Sequence, residues 1–138
     1  MSEPLLLDTC AAMYLVASEP MSRPALEAMN MSADTSTPLY VSPITAWEIG
    51  MMTEKGRFRS SLTPQRWFEM LRTRPGIALC ELTPAILMQS WVLPGVLNRD
   101  PADRIIAATA REYGYTVVTR DRALLEYASA GHLRALEC

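Results

Sequence analysis

Residues 100–121 read DPADRIIAATAREYGYTVVTRD and describe a helix followed by a strand. The pair Asp100-Pro101 is a typical helix start, since aspartate caps the first turn and proline fits the first helical position. Gly114 predicts the end of this helix, because glycine readily adopts the left-handed conformation that follows many helices. The β-branched run at 115–119 predicts a buried strand, and Asp121 predicts the start of a last helix.

The alternation of short apolar runs with helical spacing extends over the rest of the chain. Predicted strands lie at 5–7, 39–42, 77–82 and 115–119, with a last short one near 133–136. The first predicted helix begins near residue 11, and the second spans 23–33. Further helices are predicted from 43 to near 56, at 65–72 and from 83–84 to near 94–95. The last predicted helix runs from 121 to about 128. Strands that alternate with helices predict an α/β fold with a central, mainly parallel sheet of four or five strands flanked by helices.

The composition limits the class of protein. With 138 residues, 49% of them hydrophobic and 20% charged, the chain predicts one globular domain spanning 1–138. A net charge of −2 argues against a protein that coats nucleic acids. Three scattered cysteines are too few for a disulfide framework or a zinc cluster, and they fit a reducing cytoplasm. Charged and proline residues in the apolar window 77–97 argue against a membrane span, and the acidic N-terminus argues against a signal peptide.

Acidic residues lie where predicted strands end and helices begin. Asp8 closes the first strand, Glu48 lies about one turn into the helix after the second, and Asp121 follows the fourth. In a parallel sheet these three converge on one edge, and Asp103 joins them if the N-terminus of its helix packs there. Carboxylates gathered in this way repel one another, and a hard cation such as Mg²⁺ or Mn²⁺ removes that penalty. The only histidine is His132, near the C-terminus, so zinc is disfavoured.

Each acid also has a structural interpretation. Asp100 is most simply a helix cap, and Asp121 could be one as well. Asp103 could complement the helix dipole, and Thr45-x-x-Glu48 has the form of a capping box. Asp8 is the hardest to explain structurally, because a carboxylate directly after a buried strand brings no evident gain in stability.

Four short motifs in this chain resemble those of PIN-domain ribonucleases. They are LLDT at 6–9, SPITAWEI at 42–49, DPADRIIAA at 100–108 and VTRD at 118–121. Each motif is weak alone, but their order and spacing match over nearly the whole chain. The Trp-Glu-Ile sequence, the later GRF at 56–58 and the LPG at 93–95 are most similar to the VapC-type toxins of toxin–antitoxin pairs.

The resemblance implies a PIN-like three-layer fold and an endoribonuclease that depends on Mg²⁺ or Mn²⁺ and often cuts tRNA or rRNA. It also implies a homodimer that a VapB-type antitoxin holds inactive. Carried over, Asp8 and Asp103 bind the metal directly, Glu48 and Asp121 complete the site, and Thr119 supports it. In this interpretation a metal-activated water attacks the phosphorus.

Relatives often have lysine one turn after the glutamate and histidine before Arg-Asp-Pro. This chain has Met51-Met52 and Asn98 at those places. Neither is an acid of the site, so the departures concern substrate preference more than catalysis.

Basic residues concentrate in residues 55–74, which contain six of them and one acid, a net charge of +5. Arg57, Arg59 and Arg66 could therefore hold an RNA backbone, although a solvated helix face is the simpler interpretation. Arg104 could contact the scissile phosphate or pair with a neighbouring acid.

Apolar side chains have two possible roles as well. Tryptophans could stack bases, but helical spacing favours core packing for Trp47 and Trp91. Methionines in the first helices predict an adaptable apolar surface, for a second copy or an antitoxin, or part of the core.

Other classes fit the sequence less well. A phosphoryl-accepting receiver domain needs a lysine after a late strand, and the only lysine is Lys55. A haloacid-dehalogenase-like phosphatase needs an aspartate where this chain has Cys10. A catalytically silent PIN-like module that retains antitoxin or RNA binding is the remaining alternative.

Overall fold

The computed structural model describes residues 3–138, in which five strands alternate with seven helices. The strands are β1 (Leu5–Leu7), β2 (Leu39–Val41), β3 (Ile77–Leu79), β4 (Thr116–Thr119) and β5 (Arg134–Glu137). The helices are α1 (Thr9–Ala17), α2 (Arg23–Asp34), α3 (Pro43–Glu54), α4 (Pro64–Arg72), α5 (Pro84–Gln89), α6 (Pro101–Tyr113) and α7 (Arg122–Ser129). No helix in this described part of the chain combines the length and the apolar character that a membrane crossing requires.

All five strands lie parallel in one sheet, in the order β3-β2-β1-β4-β5. This arrangement confirms the predicted α/β fold with a parallel central sheet. β1 lies in the middle, where Leu7 pairs with Val41 of β2 on one side and with Val118 of β4 on the other. The strand order reverses its direction between β1 and β4, and such a switch point opens a crevice at the carboxyl ends of the strands.

Alternating side chains of the central strand divide the core into two layers. Leu5 and Leu7 pack on one face with residues of α1, α2, α3 and α4. Leu6 packs on the other face with residues of α6 and α7. All three leucines are almost completely buried. Helices on both faces produce the three-layer arrangement and hold the end of β1 in a fixed place.

The third crossover is less regular than the sequence predicts. α5 ends at Gln89 instead of near residues 94–95, and β3 is also shorter than predicted. The hydroxyl of Ser90 donates to the carbonyl of Leu87 at 2.6 Å. Such local bonds compete with continuation of a helix. Residues 90–98 therefore form an irregular segment, which we call the 90–98 loop.

Two of the three tryptophans lie outside the core, so the predicted core packing of Trp47 and Trp91 is wrong. Trp47 is 58% exposed and Trp91 is 81% exposed, whereas Trp67 is 4% exposed. On α3 the buried residues are Thr45 and Ile49, and Trp47 lies two positions from each, on a different side of the helix. Trp91 follows the early end of α5, so helical spacing does not apply to it.

Candidate active site

One hydroxyl joins the carboxylate of Asp8 to the backbone of Asp121 where β1 and β4 end. Thr119 is fully buried, and its Oγ1 donates a hydrogen bond to Oδ2 of Asp8. The same oxygen accepts a bond from the backbone N–H of Asp121 at 2.9 Å. The backbone N–H of Asp8 donates to the carbonyl of Val118 at 3.1 Å, which extends the strand pairing to the acid itself. Asp8 and Asp121 are thus linked at the switch point of the sheet.

Asp8 is buried and also caps α1. It is 5% exposed, and its Oδ1 accepts a bond from the backbone N–H of Ala11 at 2.8 Å. The expectation that this acid brings no structural gain is wrong, because the cap satisfies a free N–H of the first turn. α1 consequently begins at Thr9, earlier than predicted. Asp121 caps α7 in the same way, through the N–H of Leu124 at 3.0 Å.

Glu48 contacts α1 and takes no part in a capping box. The cap of α3 is Ser42, so the box that Thr45-x-x-Glu48 suggested does not form. Instead, the hydroxyl of Thr9 donates to Oε1 of Glu48 at 2.5 Å and lies 3.0 Å from the hydroxyl of Thr45. Thr9 orients Glu48, a contact that the sequence analysis missed. The position of Thr9 directly after Asp8 is the one signal in the sequence that points to this contact.

Asp103 lies in the first turn of α6, where an amide holds it. Nδ2 of Asn98 donates to Oδ2 of Asp103 at 3.0 Å, and Oδ1 of Asn98 accepts from the backbone N–H of Asp100 at 3.0 Å. Asp100 itself caps α6 through the N–H of Ala102, which confirms its structural interpretation. In the sequence Asn98 is only a departure from the family pattern, and its contact with Asp103 becomes visible in the fold.

Burial and mutual repulsion raise the pKa values of three acids. Burial raises the pKa of Asp8 to about 6; repulsion from Asp121 adds to this effect, and the bond from Thr119 opposes it. Burial likewise raises the pKa of Asp103 to about 7, with repulsion from other carboxylates in addition. The pKa of Glu48 is also raised, first by burial and then by nearby carboxylates. These acids influence one another, and we call Asp8, Glu48, Asp103 and Asp121 the acidic site.

Within residues 3–138, no ion pair joins a basic side chain to the acidic site. The ion pairs in that range lie on the surfaces of α2 and α4. Arg104 follows Asp103 in sequence, but its guanidinium donates to three backbone carbonyls. Of the two alternatives for Arg104, pairing with a neighbouring acid is therefore wrong, and this guanidinium does not neutralise the acidic site.

The chemistry of the acidic site suits a hard divalent cation. Carboxylate oxygens are the ligands that Mg²⁺ and Mn²⁺ prefer, and such a cation would offset the repulsion among these acids. As the side chains stand, no three histidine, cysteine or acidic residues of the described chain are close enough together to hold one ion. Mg²⁺ usually keeps several of its waters, so it does not require direct contact with every carboxylate. The donor set fits a partly hydrated cation.

The three arginines considered for RNA binding lie on the surface. Arg57 and Arg59 lie between α3 and α4, Arg66 lies in the first turn of α4, and all three are exposed. Arg59 also borders a cavity of about 430 Å³ between α1 and α4. We call this cavity the α1–α4 groove; its apolar lining includes Met13, Tyr14, Phe58, Leu62, Trp67 and Met70.

Comparisons with known proteins give matches over most of the chain. The family model described as PIN domain matches residues 5–130. Ribonuclease VapC22 of Mycobacterium tuberculosis (strain ATCC 25618 / H37Rv) is 31% identical over 122 residues, which cover 87% of this chain and 88% of that protein. VapBC2 from Rickettsia felis, bound to a promoter DNA fragment, aligns with a TM-score of 0.67 at 14% identity, over 96% of this chain and 97% of that one. A toxin–antitoxin complex from Klebsiella pneumoniae aligns with a TM-score of 0.57 at 20% identity, over 96% and 95% of the two chains.

Proposed function

The chain belongs to the PIN-domain family, in its VapC group, and from this premise we propose that it is a metal-dependent endoribonuclease toxin of a toxin–antitoxin pair. The observation that carries the proposal is the acidic site, in which β1, α3, α6 and the end of β4 bring carboxylates together without a neutralising base. The proposed substrate is a structured RNA such as tRNA or rRNA, in keeping with the family resemblance.

We assign the binding of Mg²⁺ or Mn²⁺ to Asp8 and Asp103, with Glu48 and Asp121 completing the site. A cation held by these residues would supply activation of a water for attack on phosphorus and would offset charge on the leaving oxygen. The protein contributes carboxylates that are already oriented. Thr119 donates to one oxygen of Asp8, and each carboxylate oxygen keeps a second acceptor position for another partner. Fixing the donors before the substrate arrives lowers the cost of assembling the site.

The net positive charge of the segment at 55–74 supports the binding of an RNA backbone. Arg57, Arg59 and Arg66 are exposed, and no ion pair within residues 3–138 neutralises them. Phosphate contacts make binding dependent on salt, with a slope that grows with the number of contacts. Replacing all three by alanine should flatten the salt dependence of RNA binding, and an unchanged slope would remove them from the proposal.

The proposed antitoxin partner fits the α1–α4 groove. Its apolar lining can accept the hydrophobic side chains of a partner segment, and the nearby basic segment attracts acidic ones. Of the methionines in the first helices, which predict an adaptable surface, Met13 lines this groove, and Met70 of α4 lines it as well. The three cysteines are free thiols, which agrees with the proposed cytoplasmic location.

The proposed homodimer has a candidate interface at the end of α5. We call the exposed side chains there the apolar patch: Trp91 at 81%, Val92 at 70%, Val96 at 94%, Met88 at 67% and Leu87 at 40% exposure. Monomeric proteins rarely expose large contiguous apolar patches. The double substitution of Trp91→Ser and Val96→Ser should lower the sedimentation coefficient from the value of a dimer to that of a monomer. An unchanged coefficient would place the interface elsewhere.

A catalytically silent module that retains antitoxin or RNA binding is the alternative function. The presence of all four carboxylates and the raised pKa values of Asp8, Glu48 and Asp103 favour the enzyme, because a silent module has no need to keep these acids buried close to one another. A calorimetric titration with Mn²⁺ distinguishes the two, since the enzyme should bind the ion and the silent module should bind it poorly.

The test of the enzymatic proposal is the sequencing of RNA ends after brief induction of the wild-type chain and of Asp8→Asn. Asp34→Asn is the matched control, because it replaces an exposed aspartate at the end of α2. We expect new 5′ ends with the wild type and the control, and none with Asp8→Asn. Purified wild type should lose cleavage in excess EDTA. Full activity of Asp8→Asn, or of wild type in EDTA, would rule the proposal out.

A further inference from the structure

The guanidinium of Arg104 fastens both ends of the 90–98 loop. Its Nε donates to the carbonyl of Ser90 at 2.8 Å. Its Nη1 donates to the carbonyls of Leu97 and Asn98 at 3.3 and 3.2 Å. A planar, permanently charged fork of N–H groups is well suited to several carbonyls at once. One side chain of α6 therefore closes a loop of irregular backbone.

Asn98 connects the fastened loop to the acidic site. Arg104 holds its backbone carbonyl, while its side-chain amide bonds to Asp103 through Nδ2 and to the N–H of Asp100 through Oδ1. The two ends of this amide are both engaged by the start of α6. Asn98 is exposed, so these bonds, and not burial, restrict its side chain.

The group that holds Asp103 is a neutral amide, which matters for a cation site. A lysine or arginine in that place would neutralise the carboxylate and compete with a metal ion for it. An amide fixes the orientation of the carboxylate and leaves its negative charge available. The base that follows Asp103 in sequence, Arg104, is directed to the three carbonyls instead.

We propose that Asn98 and Arg104 are positioning residues for Asp103. Asn98 acts by its direct hydrogen bond, and Arg104 acts by fixing the backbone from which Asn98 extends. The inference rests on the proposed function, because that function assigns Asp103 to the metal. Removal of a group that orients a metal-binding side chain typically lowers metal affinity about 10–100-fold.

The first test detects the hydrogen bond between Asn98 and Asp103 by NMR spectroscopy, without metal or RNA. The chain contains two asparagines and two glutamines, so the side-chain amide region of a ¹H–¹⁵N spectrum has few signals. Asp103→Asn should shift the amide signals of Asn98 and leave those of Asn30, on the exposed surface of α2, in place. An unshifted Asn98 signal would overturn the inference, whatever becomes of the proposed function.

The contribution of Arg104 is read in the same spectrum. Arg104→Lys retains the charge but removes the planar fork, so the amide signals of Asn98 should shift. Arg23→Lys is the matched control, because Arg23 lies exposed on α2. Equal spectra for Arg104→Lys and the control in this region would exclude Arg104 from the positioning of Asn98.

The second test is a calorimetric titration with Mn²⁺. Asn98→Ala should bind the ion about tenfold more weakly than Asn30→Ala, with an equal melting temperature. Asn98→His should recover most of the affinity, because a ring N–H can donate from a similar place. Equal affinity of Asn98→Ala and Asn30→Ala would contradict the positioning role. Absence of Mn²⁺ binding by the wild type would refute the metal assignment, while the spectra still decide whether Asn98 and Arg104 hold Asp103.

Discussion

The two sides of the acidic site are built in different ways. On the strand side, Asp8 and Asp121 follow neighbouring strands, and the buried hydroxyl of Thr119 joins them. On the loop side, Asp103 depends on Asn98, an exposed residue of the 90–98 loop. Strand pairing and a buried hydroxyl set the first side, whereas the side chain of an exposed residue sets the second. Substitutions on the strand side should therefore change both stability and activity, and those on the loop side should chiefly change the geometry of the site.

The largest effect is expected for Asp8→Asn on the strand side. Asparagine still caps α1, but it removes the charge that the proposed metal requires. RNA cleavage should fall by more than about 100-fold, beyond the range expected for loss of an orienting partner. Because burial raises the pKa of Asp8 to about 6, a neutral residue should leave the melting temperature equal or higher. Cleavage by Asp8→Asn within about threefold of Asp34→Asn would show that the strand side holds no catalytic group.

Removal of the hydroxyl that joins the strand side is expected to have the next largest effect. Thr119→Val keeps the shape of the side chain but leaves the N–H of Asp121 without its partner. Cleavage should fall about 10–100-fold, and the free energy of unfolding should fall by about 1–3 kcal/mol. Thr119→Ser retains the hydroxyl and serves as the control in kinetics and urea unfolding. A valine variant as active and stable as the serine variant would mean that the hydroxyl does not hold the carboxylates.

The strand side could be anticipated from the sequence because its determinants are local. The apolar run before Asp8 and the β-branched run before Asp121 predict buried strands, and in a parallel sheet their carboxyl ends share one edge. The helix caps of Asp100 and Asp121 are also local signals. The structural role of Asp8 was not predicted, because a residue that ends a strand can also cap the helix that follows it.

The loop side could not be anticipated, because its contacts join residues without a periodic signal between them. Arg104 and Ser90 are fourteen positions apart, and no spacing rule predicts that a guanidinium will bond to those carbonyls. The early end of α5 has the same origin, since apolar residues continue past it and resemble more helix. Because α5 ends before Trp91, this residue is exposed, although helical spacing predicted that it packs in the core.

The pH dependence of stability tests both sides together in the metal-free chain. The folded pKa values of Asp8 and Asp103 are raised from 3.8 to about 6 and about 7. Their stabilising contribution is fully present below about pH 4 and is lost as the pH rises through these values. The free energy of unfolding that they contribute together should therefore fall by on the order of 3–7 kcal/mol between pH 4 and pH 8.

Urea unfolding at several pH values measures this contribution as the difference between the wild type and each variant. Asp8→Asn should remove the part of the loss that falls between about pH 4 and pH 6, and Asp103→Asn the part that falls between about pH 4 and pH 7. Mn²⁺ added at pH 8 should restore stability to the wild type, since it binds the ionised carboxylates. A wild-type contribution that increases with pH would contradict the repulsion assigned to the acidic site.

The smallest effect is expected on the reactivity of Cys10, because the two sides of the acidic site raise the pKa of its thiol by unequal amounts. Partial desolvation by neighbouring groups raises the pKa of the Cys10 thiol to about 11, and the carboxylates add to this shift, with Asp8 first and Asp103 last among them. Cys10 is exposed while the other two cysteines are buried, so a thiol reagent labels it selectively. At pH 8, Asp8→Asn should speed labelling about two- to threefold and Asp103→Asn by less than about twofold, with Asp34→Asn unchanged. A larger acceleration by Asp103→Asn would place the loop side closer to the thiol and reverse the order of influence of the two sides.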